Sequence, residues 1–185
     1  MRIRGDNVNI RTDRLIIRTI KEEDYVDIYE IYNNPKTCQY IPSGVWNENN
    51  KLELFLKKLS HQSLQENGRI DLSCIYKNKV IGNVGVWNTG MKDCVEIGYV
   101  FHYDYQGRGL AFEALKAIIP YIFKEFKIHR IQTNIDSRNK ASYLLCERLG
   151  MRREAHFIKD YWFNGEWTDS YIYGMLEEEI KEESY

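Results

Sequence analysis

Apolar and polar positions follow two rhythms along this chain, a repeat of about two residues suited to strands and one of about 3.6 suited to helices. Leu15 to Ile20 reads as a strand with Arg18 interposed, and Lys21-Glu22-Glu23-Asp24 follows as an acidic first turn that suits a helix N-terminus. Tyr25, Ile28, Tyr29 and Tyr32 fall at helical spacing until Asn33-Asn34-Pro35 stops the run. A second helix is predicted from Asn47 to about Asn67, carrying Leu52, Phe55, Leu56, Leu59 and Leu64 and ending at Gly68.

The middle of the chain is β-prone. Ile70 to Tyr76, Val80 to Trp87 and Val95 to Phe101 read as sequential strands of an antiparallel meander, the first two joined by a tight connection at Lys77-Asn78-Lys79. Ala111, Leu115, Ile118, Ile122 and Phe126 then form one helical stripe from Ala111 to Phe126; Pro120 lies inside it, where it removes a backbone hydrogen bond, and the pattern leaves open whether the helix kinks there. Ile131 to Asp136 reads as a buried strand and Lys140 to Leu149 as a helix closed by Gly150. Glu154 to Phe163 and Glu166 to Met175 flank Asn164-Gly165, a strong hairpin signal, and the acidic tail from Leu176 to Tyr185 is expected to be a terminal helix. The order β-α-α-β-β-β-α-β-α-β-β describes an α/β (α+β) fold: a mixed, mostly antiparallel sheet of about seven strands flanked by about four helices.

Composition narrows the function. Lys plus Arg number 26 and Asp plus Glu 27 among 185 residues, a net charge of -1, so no one-signed field attracts nucleic acid or anionic lipid. No apolar run approaches the roughly 18 residues of a membrane helix, and the start has no apolar leader, so a cytoplasmic location is expected. One domain over residues 1–185 is expected, with a core from 11 to 178 and an acidic tail from 179 to 185. Cys38, Cys74, Cys94 and Cys146 are too scattered for a zinc site and read as buried free thiols; His61, His129 and His156 read as structural, and no metal is expected.

The candidate chemistry sits in Gln106-Gly107-Arg108-Gly109-Leu110-Ala111, between a strand and a helix. Its glycines let the backbone turn with N–H groups facing inward beside a helix N-terminus, an arrangement that can cradle a diphosphate or be an ordinary tight turn. It is neither a P-loop nor G-x-G-x-x-G. Read as Gln-x-x-Gly-x-Ala, the loop resembles the acetyl-coenzyme A pyrophosphate loop of the GNAT superfamily of N-acetyltransferases. Glu96-Ile97-Gly98-Tyr99 is similar to the strand preceding that loop. Asn139-Lys140-Ala141-Ser142 and Glu147-Arg148-Leu149-Gly150-Met151 resemble signatures of the RimJ/RimL branch, which acetylates ribosomal-protein N-termini. Arg11 to Arg18 is similar to that branch's opening and Asn164-Gly165-Glu166-Trp167 to its final hairpin, so the resemblance spans roughly residues 11 to 178.

The resemblance implies a GNAT fold, acetyl-CoA as cosubstrate and a primary-amine acceptor, whether a peptide N-terminus or a small amine, in a monomer or homodimer. A coenzyme A-binding sensor without turnover is the alternative. It also implies that pantetheine pairs with Val100, Phe101 and His102, and that the diphosphate lies on Gly107 to Ala111, with Gln106 and Leu110 in the same motif. Arg108 either contacts phosphate or is solvated. A backbone N–H near Phe101 or His102 would stabilise the oxyanion. The family's thiolate-protonating tyrosine falls at Cys146 here, so Ser142 is the candidate donor, or else a helix-end hydroxyl. Asn139 orients the pantetheine amide or caps its helix. For the general base, the family's acidic position is occupied by Tyr161, so Glu96 and Asp160 are the leading candidates, with His102, Glu154 and a water chain to bulk also open. The aromatics of the final hairpin could form an acceptor pocket beside Asp160, Glu166 and Asp169, or simply pack.

Overall fold

A computed structural model describes residues 8–60, 62–64 and 68–180. Eight strands form one sheet in the order β1-β2-β3-β4-β5-β6-β8-β7: β1 Asn9–Arg11, β2 Ile16–Thr19, β3 Arg69–Tyr76, β4 Lys79–Asn88, β5 Cys94–Phe101, β6 Arg130–Asp136, β7 Arg152–Phe163 and β8 Glu166–Leu176. The helices are α1 Tyr25–Tyr32, α2 Lys51–Ser60, α3 Leu110–Phe126 and α4 Lys140–Arg148. The strand beyond the expected seven is β1, whose three residues are too short to show periodicity and are held by pairing with β2. Two-residue turns close the β3–β4 and β7–β8 hairpins, at Lys77-Asn78 and Asn164-Gly165, all four residues having positive φ.

Alternation sorts the meander. Val84, Val86, Val95, Ile97 and Phe101 face α3 and α4 in the larger core, while Val80 and Val100 face α1 and α2 in the smaller one with Ile28, Ile31 and Phe55. Each large side chain fully buried here stabilises the fold by about 1.5–3 kcal/mol. The acidic residues before α1 do more than offset its dipole: Asp24 is buried and accepts Arg18 Nη1 and Nη2 at 2.7 Å each and Ser73 Oγ at 2.7 Å, tying β2, β3 and α1 together.

Two expectations are corrected. α2 ends at Ser60, because Ser63 pairs with Arg69 to lead into β3; His61 and residues 65–67 lie outside the described residues. α3, by contrast, covers the expected span, Leu110–Phe126, with Pro120 inside it. The tail is β-strand to Leu176 and then one 3-10 turn, Glu177–Glu179, with residues 181–185 outside the description.

The decisive feature is the seam between β5 and β6. These parallel strands pair only at Cys94↔Arg130, Val95↔Ile131 and Glu96↔Gln132. Residues 97–101 and 133–136 then run on without pairing with each other, and the sheet opens into a wedge.

Candidate active site

Ladder alternation decides which backbone groups face the wedge. His102 N–H donates to Ile81 O at 2.8 Å on the β4 side, so the N–H groups of Tyr99 and Phe101 turn toward β6. Of the two amides expected to stabilise an oxyanion, His102's is therefore committed to the sheet, and its ring Nδ1 accepts the Asp104 N–H at 3.2 Å. Gln106 Nε2 donates to Phe101 O at 3.0 Å, so this side chain braces the strand end on the loop. A strand edge with no ladder partner inside a fold suits an extended ligand that carries amides.

Gly107 and Gly109 both have φ +73°, the left-handed conformation that favours glycine, and Gly109 starts α3. A Cβ at Gly107 would meet nothing within 4 Å, and one at Gly109 only Arg14 Nη2 at 3.6 Å. The space beside the two glycines is thus open. The N-terminal segment locks it from behind: Glu113 in the first turn of α3 accepts Arg14 N at 2.8 Å and Arg14 Nε at 2.6 Å, while Arg14 Nη1 donates to Arg108 O at 3.0 Å. That contact gives the Arg11 to Arg18 motif a physical purpose.

A cavity of about 640 Å³ runs from this hollow along β5 and α4. Val100, Phe101, Gln106, Gly107, Gly109, Leu110, Ala111, Asn139 and Ser142 all line it. Its charged lining is wholly basic: Lys36, Arg138, Lys140 and Arg148. These cations were missed because they are scattered in sequence and only folding gathers them. Arg108 and His102 are not in the lining; Arg108 is exposed and stacks on Tyr105 at 5.3 Å instead. The residues present fit an extended polyanionic cosubstrate.

Two further cavities lie on the other side of the wedge. One, of about 300 Å³, is lined by Glu96, Asp136, Asn139, Ser142, Tyr161, Phe163 and neighbours. The second, of about 390 Å³, reaches toward α2. Tyr99 lines all three cavities. Its hydroxyl lies 2.7 Å from Ser142 Oγ, donates to Ser142 O at 3.2 Å and stands 3.5 Å from Cys146 Sγ. Burial, with Cys146 beside it, holds the Tyr99 pKa well above the ordinary tyrosine range, so the phenol keeps its proton. The sequence reading passed over Tyr99 because it belonged to a strand motif and its partners lie more than forty residues away.

Asn139 caps α4, its Oδ1 accepting Ser142 N–H at 3.2 Å. The Ser142 hydroxyl faces Tyr99. Glu96 is half-buried and accepts Gln132 Nε2 at 3.1 Å; burial raises its pKa above the ordinary glutamate value, against the lowering effect of Gln132. Asp160 is not brought to the site. β7 bulges between Phe157 and Tyr161, with Lys159 at φ +49°; from Tyr161 regular pairing runs up to the Asn164-Gly165 turn, so alternation puts Tyr161 and Phe163 in the cavity lining, and Asp160 is exposed outside it. His156 contacts Asp169 at 3.1 Å near the surface, away from these cavities. The cysteines are buried and unbridged.

Comparison with known proteins agrees with this geometry. Residues 14–152 match the acetyltransferase (GNAT) domain family. The chain is 35% identical to the uncharacterized N-acetyltransferase YnaD of Bacillus subtilis over 93% of this chain and 99% of that one. It is 30% identical to the ribosomal protein uS5-alanine N-acetyltransferase of Escherichia coli, covering 88% and 87%. A solved GNAT-family acetyltransferase from Bacillus anthracis superposes with a TM-score of 0.82 at 32% identity, over 92% of this chain and 99% of that one. Neighbours of the same fold were solved with coenzyme A. No helix among the described residues is long and apolar enough to cross a membrane. With a splayed strand pair, a glycine hollow at a helix start and a basic cavity between them, the chain belongs to the GNAT family of N-acetyltransferases.

Proposed function

We propose that this chain acts as one RimJ/RimL-like domain that moves an acetyl group directly onto a primary amine, a peptide N-terminus or a small amine, with donor and acceptor bound together. The observation that carries this reading is the position of Tyr99, which the basic donor cavity shares with both cavities across the wedge. Reactants held on either side of one residue gain the advantage of intramolecular attack, worth about 7–11 kcal/mol when well oriented.

Acetyl-CoA supplies a thioester-activated acetyl group. The amides of Gly107 to Ala111, with the basic lining, hold its negative charge, and the Tyr99–Phe101 edge takes its extended arm. Phe101 N–H faces the wedge and stabilises charge growing on the carbonyl oxygen. Glu96, with its raised pKa, accepts the proton the incoming ammonium must lose, and the Tyr99–Ser142 hydroxyl pair returns a proton to the departing sulfur. The tyrosine absent at position 146 is thus matched by a phenol that reaches the Cys146 sulfur from β5. The relative that acts on the alanine of ribosomal protein uS5 supports a peptide N-terminus as one acceptor class.

The test mixes the protein with acetyl-CoA and a panel of amines and N-terminal peptides, reading free thiol and product mass. Thiol release matched by an acetylated acceptor supports the assignment. Coenzyme A binding with no release from any acceptor identifies a sensor instead.

A further inference from the structure

The cavity reaching α2 has a charge pattern that the transfer chemistry does not use. Register sets Arg69, Trp87 and Glu96 directly opposite one another on β3, β4 and β5, so their side chains share one face. In the adjoining row Gly85 and Gly98 are also paired. A Cβ on Gly85 would fall 2.4 Å from Arg69 Nη2, and one on Gly98 would fall 2.8 Å from Trp87 Cη2. The guanidinium and the indole therefore lie across a glycine floor, with Arg69 Cζ 5.0 Å from the Trp87 ring centre.

Beneath them sits an unequal ion cluster. The wholly buried Asp71 accepts Arg69 Nε at 2.6 Å and Lys58 Nζ at 3.0 Å, so a single carboxylate answers two cations. Lys58 also donates to Asn83 Oδ1 at 2.9 Å. Burial opposes all three charges, but Tyr32 and Asp71 keep Lys58, and Asp71 keeps Arg69, above the ordinary pKa range, while Lys58 and Arg69 keep Asp71 below its own. Lys57 adds a further cation to the lining, and Trp46, another lining residue, has a buried Nε1–H with no hydrogen-bond partner among the described residues. This end of the acceptor space has positive charge and donors in excess. The other end holds Glu96, two strand spacings or about 9.5 Å from Arg69 along the row.

We infer that the acceptor is a primary amine bearing an anionic group, carboxylate or phosphate, on the same molecule: the amine lies at Glu96 and the anion at the Arg69–Lys58 end. This rests on the acetyltransferase reading and adds the charge of the acceptor. A polyamine would place a second cation against Arg69 and Lys58, a like-charge contact in a partly desolvated pocket.

The test compares ε-aminocaproate, hexylamine and hexamethylenediamine, which share a carbon chain and differ in the charge at its far end, with aminopropyl phosphate as the phosphate arm. The expected order of kcat/KM has an anionic amine at least roughly tenfold above hexylamine and the diamine below it. Whichever anion leads names the group. Arg69→Gln should bring the ratio of ε-aminocaproate to hexylamine to within about twofold, and Arg69→Lys should restore most of it. Tryptophan fluorescence, reporting Trp46 and Trp87, should respond saturably to ε-aminocaproate in the wild type and not in Arg69→Gln. Preference for the diamine, or a ratio unmoved in a folded Arg69→Gln, overturns the inference. If no amine releases thiol, the transfer reading fails, and the fluorescence titration still decides whether the anion site exists.

Discussion

Replacing Ser142 by alanine separates chemistry from structure in one measurement. The substitution removes a hydroxyl 2.7 Å from Tyr99 OH, yet the buried phenol keeps the Ser142 carbonyl at 3.2 Å and is not orphaned. Losing one neutral hydrogen bond under those terms costs about 1 kcal/mol, a fall in Tm of a few degrees for a chain this size. If the Tyr99–Ser142 pair delivers the proton to the leaving sulfur, kcat falls by about 10²–10³-fold, or about 2.7–4 kcal/mol in the barrier. The second figure exceeds the first, so the two roles are distinguishable. Thiol release at saturating acetyl-CoA gives kcat, calorimetry gives the coenzyme A Kd, and a thermal melt gives stability. Tyr99→Phe should slow the reaction comparably, and the double variant should be little worse than either single one, as for groups acting as a unit. Rates within about threefold of wild type, alongside the predicted melt, would refute the proton-delivery role and leave the pair structural.

Glu96→Gln should reduce kcat/KM by about 10²-fold and flatten the acid limb of the pH profile; because burial raises the Glu96 pKa, that limb should lie above the ordinary glutamate range, and a limb surviving the change would place the base elsewhere. Gly109→Trp forces a side chain onto a residue at φ +73°, a strain of about 1–2 kcal/mol, and fills the hollow, so calorimetry should show coenzyme A affinity lost; unchanged affinity rejects the loop as the anion site. Burial opposes the Asp24 charge, but Arg18, the Lys21 N–H and Ser73 outweigh it and hold its pKa below the usual aspartate value. Its stabilising contribution is therefore complete above about pH 4 and is lost as pH falls through the lowered value. Urea unfolding should show Asp24→Asn less stable by about 3–5 kcal/mol at neutral pH, with the gap closing in acid; a gap independent of pH would contradict the assignment.

What the sequence determined by itself is local. Asn164-Gly165 and Lys77-Asn78 had to turn because few other pairs accept positive φ at both positions. Gly107 and Gly109 before an apolar helical stripe marked a tight turn at a helix start for the same reason, open to an anion or simply a turn. Periodicity located the strands and helices but misjudged their ends: β1 and the close of β8 depend on pairing partners, and α2 stops where Ser63 meets Arg69. Only the tertiary structure decided the site's chemistry, because register and splay are non-local. The cavity against which the last hairpin packs is lined by Tyr161 and not by Asp160. The row through β3, β4 and β5 brought Arg69, Trp87 and Glu96 to one face. The packing of α4 on β5 joined Tyr99 to Ser142 and Cys146. Spacing along a chain records what neighbours in sequence can do, whereas a proton path or a charged pocket needs groups that meet only after the sheet has chosen its register.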